Sequence, residues 1–295
     1  MEVASPTEWG ASVRERFDER YDDLAPAERR VAEELLGLGP GALVLSAAAL
    51  AERFGTSDAT IVRTAKALGY ASLAALRTDL AESASNPAPG ERLRRTLTAT
   101  SRDHFLEQFV AQQVDGLEAL LGNVDTSDFD RGADTLAAAG HVVWRGVGPS
   151  AELARYGRLL TVRIGKPSNA FVKEGTSFAD ELLTLTSDAA VVLLAYGRVQ
   201  SHVTALLDRA DELSVPVVLV TDTLGRKLAN RVAVTLRSGR GTPGEFASHT
   251  ATLTLIEALT LALADRTRDD ADDALTELND LRASIAGRRV DVDTP

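Results

Sequence analysis

Four short runs after residue 140 constrain this chain most: HVVWRG (141–146), AAVVLLAY (189–196), VPVVLV (215–220) and RVAVTLR (231–237). Each is apolar or β-branched along most of its length, not on alternate residues. Each therefore predicts a strand buried on both faces. Helical patterns separate the runs at 149–163, 175–185, 200–213 and 246–264, and a further short strand is expected at 169–172. Strands of this kind alternating with helices make a parallel sheet covered by helices on both faces. Such sheets bind ligands beyond the carboxyl ends of their strands.

The first 85 residues follow a different pattern, helical throughout. Segment 12–23 is charged and amphipathic, and PAERRVAEELLG (26–37) opens on a helix-starting proline and turns Val31, Leu35 and Leu36 inward. In SAAALAERFGTSDATIVRTAKALGY (46–70), Ser46 caps a helix whose Ala47, Leu50, Ala51 and Phe54 share one face. Gly55 stands where a C-terminal cap is wanted. Thr56 or Ser57 caps a second helix, striped by Ile61, Ala65 and Leu68 and closed by Gly69. Ser57, Thr60, Arg63, Thr64 and Lys66 lie mainly off that stripe and suit base edges and phosphates. The layout is that of a DNA-reading helix-turn-helix; a helical hairpin with a solvated face has the same local pattern. A helix with Leu73, Leu76 and Leu80 on one face follows at 72–83.

Composition narrows the function classes. A chain of 295 residues, 44% of them hydrophobic, suggests about two packed domains. No run is apolar for 18 residues, so no membrane span is expected. The first residues, MEVASPTEWG, have neither a basic start nor an apolar run, so no signal peptide is expected and the simplest location is the cytoplasm. With no cysteine, disulfides, thiolate nucleophiles and cysteine-held metals are excluded. The net charge of −11 argues against indiscriminate DNA coating. Residues 50–78 run against that balance, with Arg53, Arg63, Lys66 and Arg77 facing only Glu52 and Asp58, which suits selective binding by a dimer. ASNPAPG (84–90) is the clearest linker. The expected order is a helix-turn-helix domain (1–84), a linker and connecting helix (85–122), a sheet domain (123–268) and a C-terminal helix with a loose tail (269–295).

The ligand candidates follow the strand ends. Gly146-Val147-Gly148-Pro149-Ser150 leads from the first strand into a helix, an arrangement suited to an anion through close backbone approach and free amides, or simply a tight turn. Ala151 stands where a dinucleotide fingerprint needs its third glycine. After the strand at 189–196 come Arg198, Ser201 and His202, either ligand groups or surface residues at a helix start. Thr221, Asp222 and Thr223 read better as turn caps than as ligand groups. Glu245 and His249 precede the last helix of the sheet domain as substrate-contact or dimer-contact groups, as an acid–base pair in an enzyme, or simply as a helix start. The four histidines show no metal spacing, and no cofactor is indicated.

LAPAERRVAEELL (24–36), LAERFGTSDATIVRTAKALGY (50–70) and ASLAALRTDLAES (71–83) resemble the N-terminal domain of RpiR/MurR-type bacterial transcription regulators. GVGPSAELARYGRLLTVRIG (146–165) resembles the start of the sugar isomerase (SIS) domain such regulators carry. The resemblance implies an all-α helix-turn-helix domain followed by an α/β SIS domain, a flavodoxin-like five-stranded parallel sheet between helices. It also implies a double-stranded DNA operator, a small anionic effector that is usually a phosphosugar, and a homodimer or homotetramer. Ser57, Thr60, Arg63, Thr64 and Lys66 then face DNA, and Gly146, Gly148, Ser150, Arg198, Ser201, Glu245 and His249 face the effector. One departure stands out. SIS domains that hold sugar phosphates usually carry Ser-x-Ser-Gly-x-Thr where this chain has Ala195-Tyr196-Gly197-Arg198-Val199-Gln200. Several hydroxyl contacts are lost, each worth about 1 kcal/mol, and Arg198 is the residue that can substitute by charge. The rival expectation is a sugar-phosphate isomerase with a helical extension.

Overall fold

The computed structural model describes residues 11–38, 45–85, 89–242 and 244–287. The chain forms two compact units. The first takes the described residues up to Ala99 together with Gly244–Phe246; the second takes the described residues from Thr100 onward apart from those three. The centre of the expected linker, residues 86–88, and the tail from 288 lie outside the described residues.

The first unit is helical: α1 (Ala11–Glu19), α2 (Pro26–Gly37), α3 (Ala47–Arg53), α4 (Asp58–Ala67), α5 (Leu73–Ser85) and α6 (Pro89–Ala99). Ser46 caps α3 by accepting the Ala49 amide at 3.0 Å, and Ser57 caps α4 by accepting the Thr60 amide at 3.2 Å. The aliphatic stripes converge: Val31, Leu35, Leu50, Ile61, Leu68 and Leu76 are all but inaccessible. Each such side chain contributes about 1.5–3 kcal/mol. Arg30 of α2 donates to the Phe54 carbonyl at 2.9 Å, which ties the turn between α3 and α4 to the helix behind it.

The second unit opens with α7 (Phe105–Asn123) and α8 (Thr126–Ala138), then alternates β1 (His141–Arg145), α9 (Pro149–Arg163), β2 (Ser168–Phe171), α10 (Phe178–Leu183), β3 (Ala189–Leu194), α11 (Ser201–Leu213), β4 (Val217–Thr221), α12 (Gly225–Leu228) and β5 (Val234–Arg237). It closes with α13 (Thr250–Arg266) and α14 (Arg268–Ala286). The five strands are parallel, in the order β2-β1-β3-β4-β5. Residues of α8, α9 and α13 pack with Val142 and Trp144 on one face, and α10, α11 and α12 pack with Val143 and Leu193 on the other. The connecting region expected as one stretch is two helices, α6 and α7, interrupted by a turn of 3-10 helix at Arg102–His104. The pattern names no helix at 126–138, because the face α8 buries is Gly132, Ala133 and Leu136, too small to stand out as an apolar stripe.

Candidate functional site

The order of the strands decides where a ligand can sit. The chain leaves β1 to one side for β2, then returns to pair β3 on the other side, so the crevice opens between β1 and β3. Arg145 is opposite Leu193 in that pair, and the loops 146–150 and 195–200 leave the sheet side by side. Gly146, Gly148, Ser150, Arg198 and Ser201 are therefore brought to one sheet edge. The first loop demands its glycines. A Cβ on Gly146 would lie 2.1 Å from the Ser150 carbonyl oxygen, and Gly148 has φ +58° with ψ −130°. Pro149 then starts α9 directly, with its first amides turned to the crevice end. Ser150 itself is buried.

The second loop is held by protein groups. Asp222 Oδ1 accepts the Gly197 amide at 2.9 Å and the Thr223 amide at 2.7 Å, and Asp222 Oδ2 pairs with Arg240 at 3.1 Å. Burial raises the Asp222 carboxyl, but the Gly197 amide and Arg240 outweigh it, and the net shift is downward. The Arg240 guanidinium lies 4.5 Å over the Tyr196 ring, and the Tyr196 hydroxyl shares a 2.7 Å hydrogen bond with Thr252 of α13. Asp222 and Thr223 thus act in turn-capping, as their sequence suggested.

The remaining candidates separate. His249 stands at the start of α13, edge-on to Tyr196 with ring centroids 6.0 Å apart. Its buried Nδ1 has no hydrogen-bond partner, and burial, reinforced by Arg240, lowers its pKa. Glu245 falls in Gly244–Phe246, which belongs with the first unit. An open groove of about 520 Å³ beside the β2 edge is lined by Arg155, Arg158, Lys173 and Asp180. It lies away from the β1/β3 crevice, and Lys173 is already paired with Asp180 at 3.2 Å.

In the first unit, α4 packs against α2, α3 and α5. Ala59, Arg63 and Lys66 are exposed with Val62 half-buried beside them, and these four fall at i, i+3, i+4 and i+7. Ser57 is exposed at the same end. Thr60 and Thr64 correct the sequence expectation: both are buried, Thr64 completely. The Thr64 hydroxyl donates to the Thr60 carbonyl at 2.9 Å, and the Thr60 hydroxyl accepts from Arg63 at 3.1 Å. Their faces close because three helices, not one, surround α4. Thr64 is therefore a core residue, while Thr60 positions Arg63.

Arg240 and the buried cation at the end of β1 both escaped the sequence analysis. Arg145 ends β1 with no exposed surface. It gives Nη1 hydrogen bonds to the carbonyls of Phe171 at 3.1 Å and Lys173 at 2.9 Å, and lies 3.9 Å over the Phe178 ring. The one signal was a cation closing an otherwise apolar strand.

Comparison with known proteins agrees with this geometry. A helix-turn-helix domain of the rpiR family matches residues 11–87, and a SIS domain matches residues 135–262. The chain belongs to the RpiR family. This RpiR-family chain is 26% identical over 226 residues to an uncharacterized HTH-type transcriptional regulator of Thermotoga maritima, covering 76% of this chain and 80% of that one. It is 25% identical over 228 residues to a bifunctional protein glk of Paraburkholderia xenovorans, of which it spans 35%. The Vibrio vulnificus NanR protein complexed with ManNAc-6P shares the fold, with a TM-score of 0.55, 20% identity and coverage of 94% of this chain and 98% of that one. Among the described residues no helix is long and apolar enough to cross a membrane.

Proposed function

We propose that this RpiR-family regulator reads a double-stranded DNA operator through α4 and senses a small anionic effector at the β1/β3 crevice, controlling carbohydrate or related catabolic genes. The outward stripe of α4 carries this reading: an acidic chain presents Arg63 and Lys66 on the one face of that helix left unpacked. The effector half is supported by the glycine loop opening α9, and by the sugar phosphate bound in the structurally similar NanR protein. A second copy of the chain reads the second half-site, as a homodimer or homotetramer, and the setting is cytoplasmic.

A gel shift with the DNA upstream of the chain's own gene tests the reading. The expected result is a sequence-preferring complex at moderate salt that weakens in Arg63→Ala. No such complex with the wild type overturns it.

A further inference from the structure

We infer that Arg145 is the anion anchor of the effector site: its Nε and Nη2 take two oxygens of a carboxylate or phosphate group on the effector. The inference rests on the sensing half of the proposed function and names the residue that grips the ligand. Arg145 follows Val143 by two along β1 and so points to the α10–α11 face. Its Nη1 is occupied by the two carbonyls at the end of β2. Nε and Nη2, the parallel donors on the other edge of the guanidinium, are buried and have no hydrogen-bond partner.

That edge matches the two oxygens of a carboxylate or phosphate. The nearest acid does not fill the role. Glu181 Oε2 is 3.8 Å from Nη1, and the two Glu181 oxygens each accept a backbone amide, from Val172 and Lys173, at 3.0 Å. Burial lowers the Arg145 pKa to about 10, against the pull of Glu181 and Glu174, so the group is a cation at neutral pH. Its charge reaches His202 at the start of α11, the helix that follows the second loop, where it reinforces burial in keeping the imidazole neutral.

The two loops divide the work. The Gly197 amide is already capped by Asp222, whose other oxygen faces Arg240. The 195–200 loop thus already holds the Asp222 carboxylate where the family's hydroxyl-rich loop would receive a phosphate. An incoming anion is left with the β1 side, where Arg145 directly precedes the glycine loop and the α9 N-terminus. To reach the buried edge, the side chains over it must shift, which gives binding the conformational consequence that a sensor needs.

The test uses the full chain with inorganic phosphate, glucose 6-phosphate and gluconate at millimolar concentration, read by thermal shift and calorimetry. Phosphate and gluconate distinguish a phosphate anchor from a carboxylate one. At least one probe is expected to stabilise the wild type, and Arg145→Met is expected to weaken it by at least roughly tenfold. Arg145→Lys, which keeps the charge but not the paired donors, serves where the methionine variant fails to fold, and is expected to bind more weakly than the wild type. In the wild type, the Arg145 Nε–H resonance is expected to move downfield on adding the stabilising probe. Undiminished binding in both variants, an unmoved Nε–H signal, or a wild type that no probe stabilises overturns the inference. The regulatory reading fails separately, through the wild-type gel shift.

Discussion

At the scale of single residues, charge and burial pull the two units apart in what their polar groups do. On α4 Arg63 and Lys66 are exposed, with Arg63 hydrogen-bonded to the Thr60 hydroxyl, while Thr64 spends its hydroxyl on the Thr60 carbonyl. Lys66→Ala is expected to weaken operator binding about equally across sequences, and to reduce the slope of log affinity against log salt by about 1. Thr64→Ala is expected to leave that slope alone and to cost about 1 kcal/mol of stability in denaturant unfolding. In the second unit, burial with Arg145 beside it pushes His202 from 6.5 down to about 4. A histidine depressed in the folded state binds its proton more readily when unfolded. Its contribution is complete above pH 6.5 and is lost as pH falls towards about 4. His249 and His141 are depressed too, each chiefly by burial, and act in the same direction. The melting temperature should fall across that window, and His202→Gln should flatten part of the fall. An unchanged pH profile in that variant would show that His202 is not the group involved. These residue roles were the least legible in the sequence. Thr64 and Arg145 look polar in one dimension; the helices and strands packed around them decide that both are interior.

At the scale of elements, the strand-to-helix turn after β1 is where sequence and geometry agree most closely. G-V-G-P-S announced a close backbone turn, and each glycine has a distinct physical reason: contact at Gly146, positive φ at Gly148. Gly148→Ala is expected to cost about 1–3 kcal/mol, since its φ and ψ suit glycine alone. Gly146→Ala should cost more, because its Cβ would meet backbone and not a movable side chain. Urea unfolding followed by Trp144 fluorescence, which reports on the buried face of β1, checks both; equal midpoints for wild type and Gly148→Ala would contradict the strain argument. Long, uniformly apolar elements such as β3 and β4 were legible because nothing but a doubly covered strand hides such a run. β2 was harder: it has only four residues, buried at Ser168 and Phe171 with Asn169 exposed and Ala170 half-buried between them. The site beyond the strands was legible as a place, through its glycines, but not as a set of contacts. Asp222 capping Gly197 joins residues far apart in sequence, and only the β3–β4 register brings them together.

At the scale of the whole molecule, a row of apolar side chains on α7 stands exposed among the described residues. Along α7, Phe105, Leu106, Phe109, Val110 and Val114 are exposed, Leu106 to 73%, and Leu121 further on to 83%. Monomeric proteins scatter such residues singly, whereas a contiguous row marks an association surface. A second copy is the partner that the proposed function requires. A two-fold pair places the same helix on both sides of the contact, so α7 need only be complementary to itself. Under the proposed function the same pairing gives one assembly two copies of α4, one for each half-site. Replacing Leu106 and Val110 together with aspartate puts like charges at the centre of that contact. The double variant is expected to sediment as a monomer at micromolar concentration where the wild type is a dimer or larger. Its affinity for a two-half-site operator should drop towards that for a single half-site. A wild type that sediments as a monomer, or a variant that keeps its dimer, would assign the α7 row to another role and leave paired operator reading to a different surface.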